Sequence, residues 1–271
     1  MEKILQMLDV AIEAAKEAGK FLRLNLGKVK EIQRKIGQET NLVTEIDRQS
    51  EQLIIGIIKR HFPQHDFLGE ESGFRFAEPD GTKEKKSEYK WIIDPLDGTT
   101  NYTHHFPCFA ISIGLERKGE LILGVVYDPN LDELFTAEKG RGAFVNGKRM
   151  SVSKSDALIR SLLVTGFPYN IKDNPDHAIE HFVNFLKEAQ AVRRMGSAAI
   201  DLAYVAAGRI DGFWEVSLNS WDVAAGVLLV KEAGGKVTDF VGNPHSIYQK
   251  PILASNGIVH ELMIGVLKRG L

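Results

Sequence analysis

Apolar positions recur along this chain with two different periods. Ile4, Leu5, Leu8, Ile12, Ala15 and Leu22 fall at three- and four-residue spacings, which predicts an opening helix with one buried face. A second helix is predicted from about Thr44, with Ile46, Leu53, Ile54, Ile57 and Ile58 as its stripe, Asp47 in its first turn and Pro63 enforcing the stop. Short apolar runs at 66–68 and 91–93, with a polar stretch from Glu78 to Glu88 between them, read as strand, exposed loop, strand. From 109 to 152 the runs take strand length and are punctuated by Lys118-Gly119, Asp128-Pro129-Asn130, Gly140-Arg141-Gly142 and Asn146-Gly147, the turn chemistry of an antiparallel meander.

Beyond about residue 155 strands and helices alternate: a strand at 162–165, helices near 176–189 and 197–207, a strand at 211–217, and a helix starting near Trp221. Short strands at 236–240 and 252–254 and a final helix close the chain. Two mixed layers follow, one centred on the meander and one on the later alternation, with a boundary near 150–160. There is no internal repeat and no low-complexity linker.

Composition changes this picture little. A chain of 271 residues is long enough for one large unit or two closely packed halves. Thirty-four basic against thirty-six acidic residues leave a formal charge of −2, so no bulk field draws the protein to nucleic acid, and no nucleic-acid partner is expected. The single cysteine, Cys108, sits among Phe106, Pro107, Phe109 and Ala110, which reads as a packed thiol. The N-terminal segment mixes charges among its apolar residues, and no window approaches a membrane span, so the expectation is a cytoplasmic protein without membrane attachment.

The segment with the most chemistry is WIIDPLDGTTNY, residues 91–102. Ile92 and Ile93 read as a buried strand that delivers Asp94 at its end; Pro95, lacking an N–H, is expected to stop the ladder and turn Asp97 back to the same side. A helical turn beginning at Gly98-Thr99-Thr100 would aim free N–H groups at the space that the two carboxylates frame, a phosphate cradle beside a cation site. Taken alone, D-P-x-D-G also describes a tight turn with an Asp cap.

Other acids carry similar alternatives. Glu70 and Glu71 follow Gly69 beyond a strand, as inward carboxylates or as a solvated acidic loop. Asp222 in SWDVAAG starts a helix and suits an N-cap, and Asp47 suits a helix dipole. Glu215 suits hydroxyl recognition, or pairing with Arg193, Arg194 or Arg209. Adjacent His104 and His105 are set aside as ligands because the other candidates are oxygens. Trp221 and Phe167 read as packing residues near the site.

WIIDPLDGTTNY, LGEES, NLVTEID and SWDVAAG, in this order and at these separations, resemble the signature segments of the inositol monophosphatase family, and RRMGSAAIDLAYVAAGRIDGFWE (193–215) is similar to its substrate-side segment. The resemblance implies a mixed α/β (α+β) fold, a layered α-β-α-β-α sandwich of two mixed sheets and flanking helices. Residues 1–155 would carry the metal and phosphate signature, and 156–271 would complete the metal site and substrate pocket within one catalytic unit.

It further implies two to three Mg²⁺ ions: Glu70, Asp94 and the Leu96 carbonyl on one, Asp94, Asp97 and Asp222 on a second, and a weaker third near Glu70. Asp47 and Thr99 would activate water, with Glu70 also catalytic. Gly98 and Thr99 amides would meet phosphate, and Gly196, Ser197, Ala198 and Glu215 the sugar or inositol hydroxyls, so that the substrate lies among Glu70, Leu96, Asp97, Thr99 and Asp222 as well. Asn41 departs from the family, where many members carry an acid.

The activity so implied is Mg²⁺-dependent, lithium-sensitive hydrolysis of inositol monophosphate or a similar polyol phosphate by a homodimer. Broader sugar phosphatase activity including fructose 1,6-bisphosphate, or action on 3′-phosphoadenosine 5′-phosphate, are the enzymatic alternatives. A metal-binding regulatory protein contacting nucleic-acid machinery is the non-enzymatic one.

Overall fold

A computed structural model describes residues 2–28, 32–35, 38–75 and 87–269, and the side chains of these apart from residues 2, 3, 32–35 and 38–43. The expected polar loop therefore lies, from 78 as far as 86, outside the described residues, as does the side chain of Asn41.

The first large sheet contains β3 (Asp66–Gly69), β4 (Gly73–Arg75), β5 (Tyr89–Asp97), β6 (Ala110–Arg117), β7 (Glu120–Asp128), β8 (Glu133–Glu138), β9 (Gly142–Val145) and β10 (Lys148–Met150). Its order is β10-β9-β8-β7-β6-β5-β3-β4, so the expected meander forms one side. The second sheet contains β11 (Leu162–Thr165), β12 (Ala191–Arg193), β13 (Gly212–Glu215), β14 (Lys236–Thr238) and β15 (Ile252–Ser255), in the order β12-β11-β13-β15-β14. A separate ladder pairs β1 (Ile32–Lys35) with β2 (Gln38–Thr44), which the hydrophobic pattern did not announce.

Five layers result. Helices α1 (Glu2–Asn25) and α2 (Glu45–His61) cover the outer face of the first sheet around Trp91, Ile93, Ile113 and Val125. Helices α5 (Ala198–Ala206) and α6 (Ser220–Glu232) lie between the sheets, in a core that joins Ile92 and Val126 on one side to Val164 and Phe213 on the other. Helices α4 (Ala178–Glu188) and α7 (His260–Leu267) cover the outer face of the second sheet, where Phe185 and Met263 meet Leu163, Trp214 and Leu253. The α-β-α-β-α sandwich is the expected one.

The central helices show why this order is stable. In α6 the run from Val223 to Val230 is buried on every side, as a helix caught between two sheets must be. Its backbone comes so close to the first sheet that a Cβ on Gly124 of β7 would stand 2.8 Å from the Ala225 carbonyl oxygen. In α1 the periodic reading needs rotating. The fully buried face is Met7, Val10, Ala11, Ala14, Ala15, Ala18 and Leu22, while Ile4, Leu8 and Ile12 flank it and Leu5 is exposed. Alanines occupy the contact because a close approach needs small side chains there, and the larger apolar groups seal the edges.

In α2 the Thr44 side chain caps the start, accepting from the Ile46 N–H at 3.1 Å, and the helix ends at His61, just before Pro63. Gly124→Ala should cost about 1–3 kcal/mol of unfolding free energy through overpacking against α6. Denaturant titration checks this, and a stabilised variant would contradict the close approach.

Candidate active site

Strand β5 runs parallel to β3, with Gly69 opposite Ile93, and the ladder carries on in the Glu70 N–H to Ile93 carbonyl bond at 3.2 Å. The next residues along the two strands, Glu70 and Asp94, therefore emerge side by side. On the other flank Asp94 is paired with Ser112 of β6, and the Ser112 hydroxyl donates to the Trp221 carbonyl at 3.3 Å, which brings the start of α6 and its Asp222 to the same sheet end. Pro95 does not end the strand as expected. β5 continues to Asp97, and the missing N–H is absorbed by a register shift between Asp94 and Asp97. Within that bulge the Asp94 Oδ1 accepts from the Leu96 N–H at 3.0 Å.

Gly98 follows with φ +100°, and a Cβ there would stand 2.9 Å from the Cys108 carbonyl oxygen, so only glycine fits. Helix α3 (Thr99–Thr103) then begins, as the sequence predicts, with its first N–H groups free of partners within the helix.

The buried edge of α2 faces this bulge. Asp47 is the third residue of the helix and completes a capping box with Thr44. Its Oδ2 accepts from the Thr44 N–H at 2.8 Å and from the Thr44 hydroxyl at 2.6 Å, leaving Oδ1 to accept from the Thr99 hydroxyl at 2.8 Å. The Thr99 hydroxyl oxygen also lies 3.1 Å from the Leu96 carbonyl. One turn on, the Ser50 hydroxyl donates to the Pro95 carbonyl at 2.9 Å, and Glu51 Oε2 accepts from the Glu71 N–H at 2.9 Å.

Elements of the second half close the far side. Asp97 Oδ2 accepts from the Ser197 hydroxyl at 2.8 Å and the Ala199 N–H at 2.6 Å, so it caps the start of α5. Asn101 ties the same two segments together, its Nδ2 donating to the Cys108 carbonyl at 2.7 Å and the Met195 carbonyl at 2.8 Å. Asp222 is again the third residue of its helix, accepting from the Asn219 N–H at 2.6 Å in a second capping box. Glu215 ends β13 and is buried; Arg209, one of its possible partners by sequence, pairs with Glu133 instead.

These residues surround a cleft of about 830 Å³, whose walls include Glu70, Asp97, Thr99, Ser197, Glu215 and Asp222. Burial raises the Asp94 carboxyl well above its ordinary range, and the neighbouring charges of Glu70, Asp97 and Asp222 push it the same way. Asp97 is raised by burial to about 6, offset in part by the N–H and hydroxyl that it accepts. Asp47 is raised by burial against the pull of the Thr44 and Thr99 hydroxyls, and Glu215 by burial and the charges of Asp222 and Asp97. Asp201, also buried, has a carboxyl oxygen with no hydrogen-bond partner among the described residues.

Carboxylates and one backbone carbonyl around such a charge excess are the donors that a hard divalent cation prefers. As the side chains stand, no three acidic, histidine or cysteine groups among the described residues converge tightly enough to grip one ion. Asp97 is turned to the start of α5 and Asp222 to its own helix cap.

The structure thus brings Asp47, Glu70, Asp94, Leu96, Asp97, Gly98, Thr99 and Asp222 around one sheet end, with Gly196, Ser197, Ala198 and Glu215 on the opposite wall. His104 and His105 are exposed, Trp221 and Phe167 line the cleft, and burial pushes the Cys108 thiol up to about 12. Sequence reasoning passed over Ser50, Glu51, Asn101 and Asp201. For the first two a signal was present: polar residues at the third and fourth positions after Asp47 fall within the buried stripe of α2.

The profile of the inositol monophosphatase family matches residues 3–270. The chain is 39% identical to the inositol-1-monophosphatase of Mesorhizobium japonicum over 98% of its own length and 97% of that protein. It is 44% identical to the Nus factor SuhB of Pseudomonas aeruginosa over 92% and 91%. Among solved structures, the inositol monophosphatase of Anabaena superposes with a TM-score of 0.86 at 44% identity, covering 98% of this chain and 96% of that one. With the profile spanning nearly the whole chain and agreement in both sequence and fold, the protein belongs to the inositol monophosphatase family, a family of generally metal-dependent phosphatases.

Proposed function

We propose that the protein hydrolyses inositol monophosphate, or a similar polyol phosphate, to the free alcohol and phosphate. The observation that carries the reading is the Thr99–Asp47 hydrogen bond at 2.8 Å, set beside the buried carboxylate of Asp94 and the half-buried one of Asp97 at the start of α3. Asp47 is held by Thr44 so that one oxygen remains for Thr99. Donating its only proton to Asp47, the Thr99 hydroxyl presents lone pairs to a water and passes that water's proton toward a carboxylate of raised proton affinity.

The free N–H groups at Gly98 and Thr99 would bind the phosphate oxygens and hold phosphorus in line with the water. Water attacks phosphorus, the bond to the alcohol oxygen breaks, and protonation of that oxygen completes hydrolysis without a phospho-enzyme. Glu70, Asp94, Asp97, Asp222 and the Leu96 carbonyl would hold two to three Mg²⁺ ions, which when bound supply a water of lowered pKa and neutralise charge on the phosphate and the departing oxygen. Gly196, Ser197, Ala198 and Glu215 would meet the polyol hydroxyls. Glu215 and Asp201 line the cleft, where a carboxyl oxygen can accept from a substrate hydroxyl. Lithium sensitivity, a homodimer and a cytoplasmic setting belong to the same reading and rest on family membership; among the described residues no helix is long and apolar enough to cross a membrane.

A second reading, a regulatory role in contact with nucleic-acid machinery, is favoured by the relatives named as Nus factors. It is compatible with catalysis, and a variant that loses turnover but keeps such a contact would separate the two roles.

Losing even an outer partner of a metal ligand costs about 10–100-fold, so Asp94→Asn should lower turnover of myo-inositol 1-phosphate by at least ~100-fold in a phosphate-release assay. Unchanged turnover would overturn the enzymatic reading. In a substrate panel at fixed Mg²⁺, myo-inositol 1-phosphate should be cleaved faster than fructose 1,6-bisphosphate or 3′-phosphoadenosine 5′-phosphate; the reverse ranking would reassign the substrate.

A carboxyl whose folded pKa is raised becomes destabilising once it ionises, so Asp97 costs stability as pH rises from the ordinary carboxylate value through about 6, and Asp94, held well above that ordinary value, costs stability in the same direction. A bound cation relieves that cost and competes with the protons. The rise in Tm produced by Mg²⁺ over EDTA should therefore be small near pH 5 and grow as pH rises through about 6. An upshift independent of pH would contradict the assignment of these carboxylates to the ion.

A further inference from the structure

Asp47, Ser50 and Glu51 stand side by side on one edge of α2, all three buried, on a helix face otherwise made by Ile46, Ile54, Ile57 and Ile58. A hydroxyl and a carboxylate in such a face are costly unless each is matched to a partner. Each is matched, and each partner lies in a different segment of the site. Asp47 reaches Thr99, Ser50 reaches the Pro95 carbonyl inside the Asp94–Asp97 bulge, and Glu51 reaches the Glu71 N–H at the turn that carries Glu70.

The Glu51 contact is also a close fit. A Cβ on Gly69 would lie 2.2 Å from Glu51 Oε2, so the carboxylate fills the space against the end of β3 that any other residue at position 69 would need. The turn after β3 is thus gripped by the β5 ladder, through the Glu70 N–H at 3.2 Å from the Ile93 carbonyl, and by the Glu51 carboxylate at the next N–H. The bulge is gripped likewise by the Ser50 hydroxyl. An α-helix is stiff, so one rigid edge fixes the spacing between Glu70, the Asp94–Asp97 pair and Thr99.

We propose that Glu51, with Ser50 beside it, is a positioning residue that sets the separation of the Glu70 turn from the Asp94–Asp97 bulge and thereby the affinity of the site for its divalent cation. Neither side chain meets substrate. The inference rests on the proposed metal-dependent phosphatase reading, and it concerns ion affinity rather than the chemical step. Glu51 acts through its acceptor oxygen at the Glu71 N–H, a task that a glutamine carbonyl also performs.

The test is Mg²⁺ binding by calorimetry without substrate, together with the Mg²⁺ concentration giving half-maximal turnover. Glu51→Ala should weaken Mg²⁺ by about 10–100-fold in both measurements, the range for losing an outer-shell anchor, with a far smaller change in the rate at saturating Mg²⁺. Glu51→Gln should stay within about threefold of the parent, against that same range for a lost anchor. Gly69→Ala keeps Glu51 but displaces its carboxylate, and should weaken Mg²⁺ in the same direction. Native Mg²⁺ affinity in Glu51→Ala or in Gly69→Ala overturns the inference, and so does Glu51→Gln falling as far as Glu51→Ala, which would assign the effect to charge. Should Glu51→Ala fail to fold, Gly69→Ala and Glu51→Gln decide the matter alone. A parent protein that binds Mg²⁺ but releases no phosphate would instead sink the phosphatase reading and leave the positioning role to the calorimetry.

Discussion

Like charge held out of water at one end of a sheet is the constraint on which this molecule is built. Asp94 is almost completely buried with Glu70, Asp97 and Asp222 near enough to raise its proton affinity. Such a group is tolerated only if each carboxylate is fixed by donors and a cation balances the remainder. The donors are visible: the Leu96 N–H for Asp94, the start of α5 for Asp97, and the Asn219 N–H for Asp222. The remaining charge is what the proposed divalent ion would balance, which would tie electrostatics to the chemistry of phosphate.

The five layers serve that end. Parallel pairing of β3 with β5 sets Glu70 next to Asp94, and pairing of β5 with β6 sets Ser112, and through it the start of α6, on the other flank. The central helix layer reaches both sheets, so α5 and α6 carry residues of the second half, Ser197, Ala199 and Asp222, to the aspartates of the first. Asn101 ties the start of α3 to the approach to α5, with bonds to the Cys108 and Met195 carbonyls.

What the sequence disclosed follows from which interactions are local. The apolar stripe of α2, the meander turns at Lys118-Gly119 and Asn146-Gly147, and the helical start after Gly98 depend on neighbours in the chain, and they stand where the residues predicted. Resemblance to the family's signature segments supplied the layered fold, which the structure shows, and the candidate site residues, of which Glu70 and Asp94 follow paired strands to one sheet end. Other features were illegible because their causes are distant in sequence. The burial of α1 through Ala11, Ala14 and Ala18 rather than through Leu5 depends on how closely a sheet approaches it. Pro95 reads locally as a stop, yet Asp97 still pairs with Ala110, so the strand resumes beyond the bulge. Glu51 falls within the buried stripe of α2, yet its partner, the turn that folds against it after Gly69, is distant in sequence.

The measurement that bears most directly on this account is anomalous diffraction from crystals grown with Mn²⁺ in place of Mg²⁺. The account predicts two or more peaks between Glu70, Asp94, Asp97 and Asp222, with the carboxylates of Asp97 and Asp222 turned toward them. Peaks elsewhere, or none in that space at saturating Mn²⁺, would contradict it.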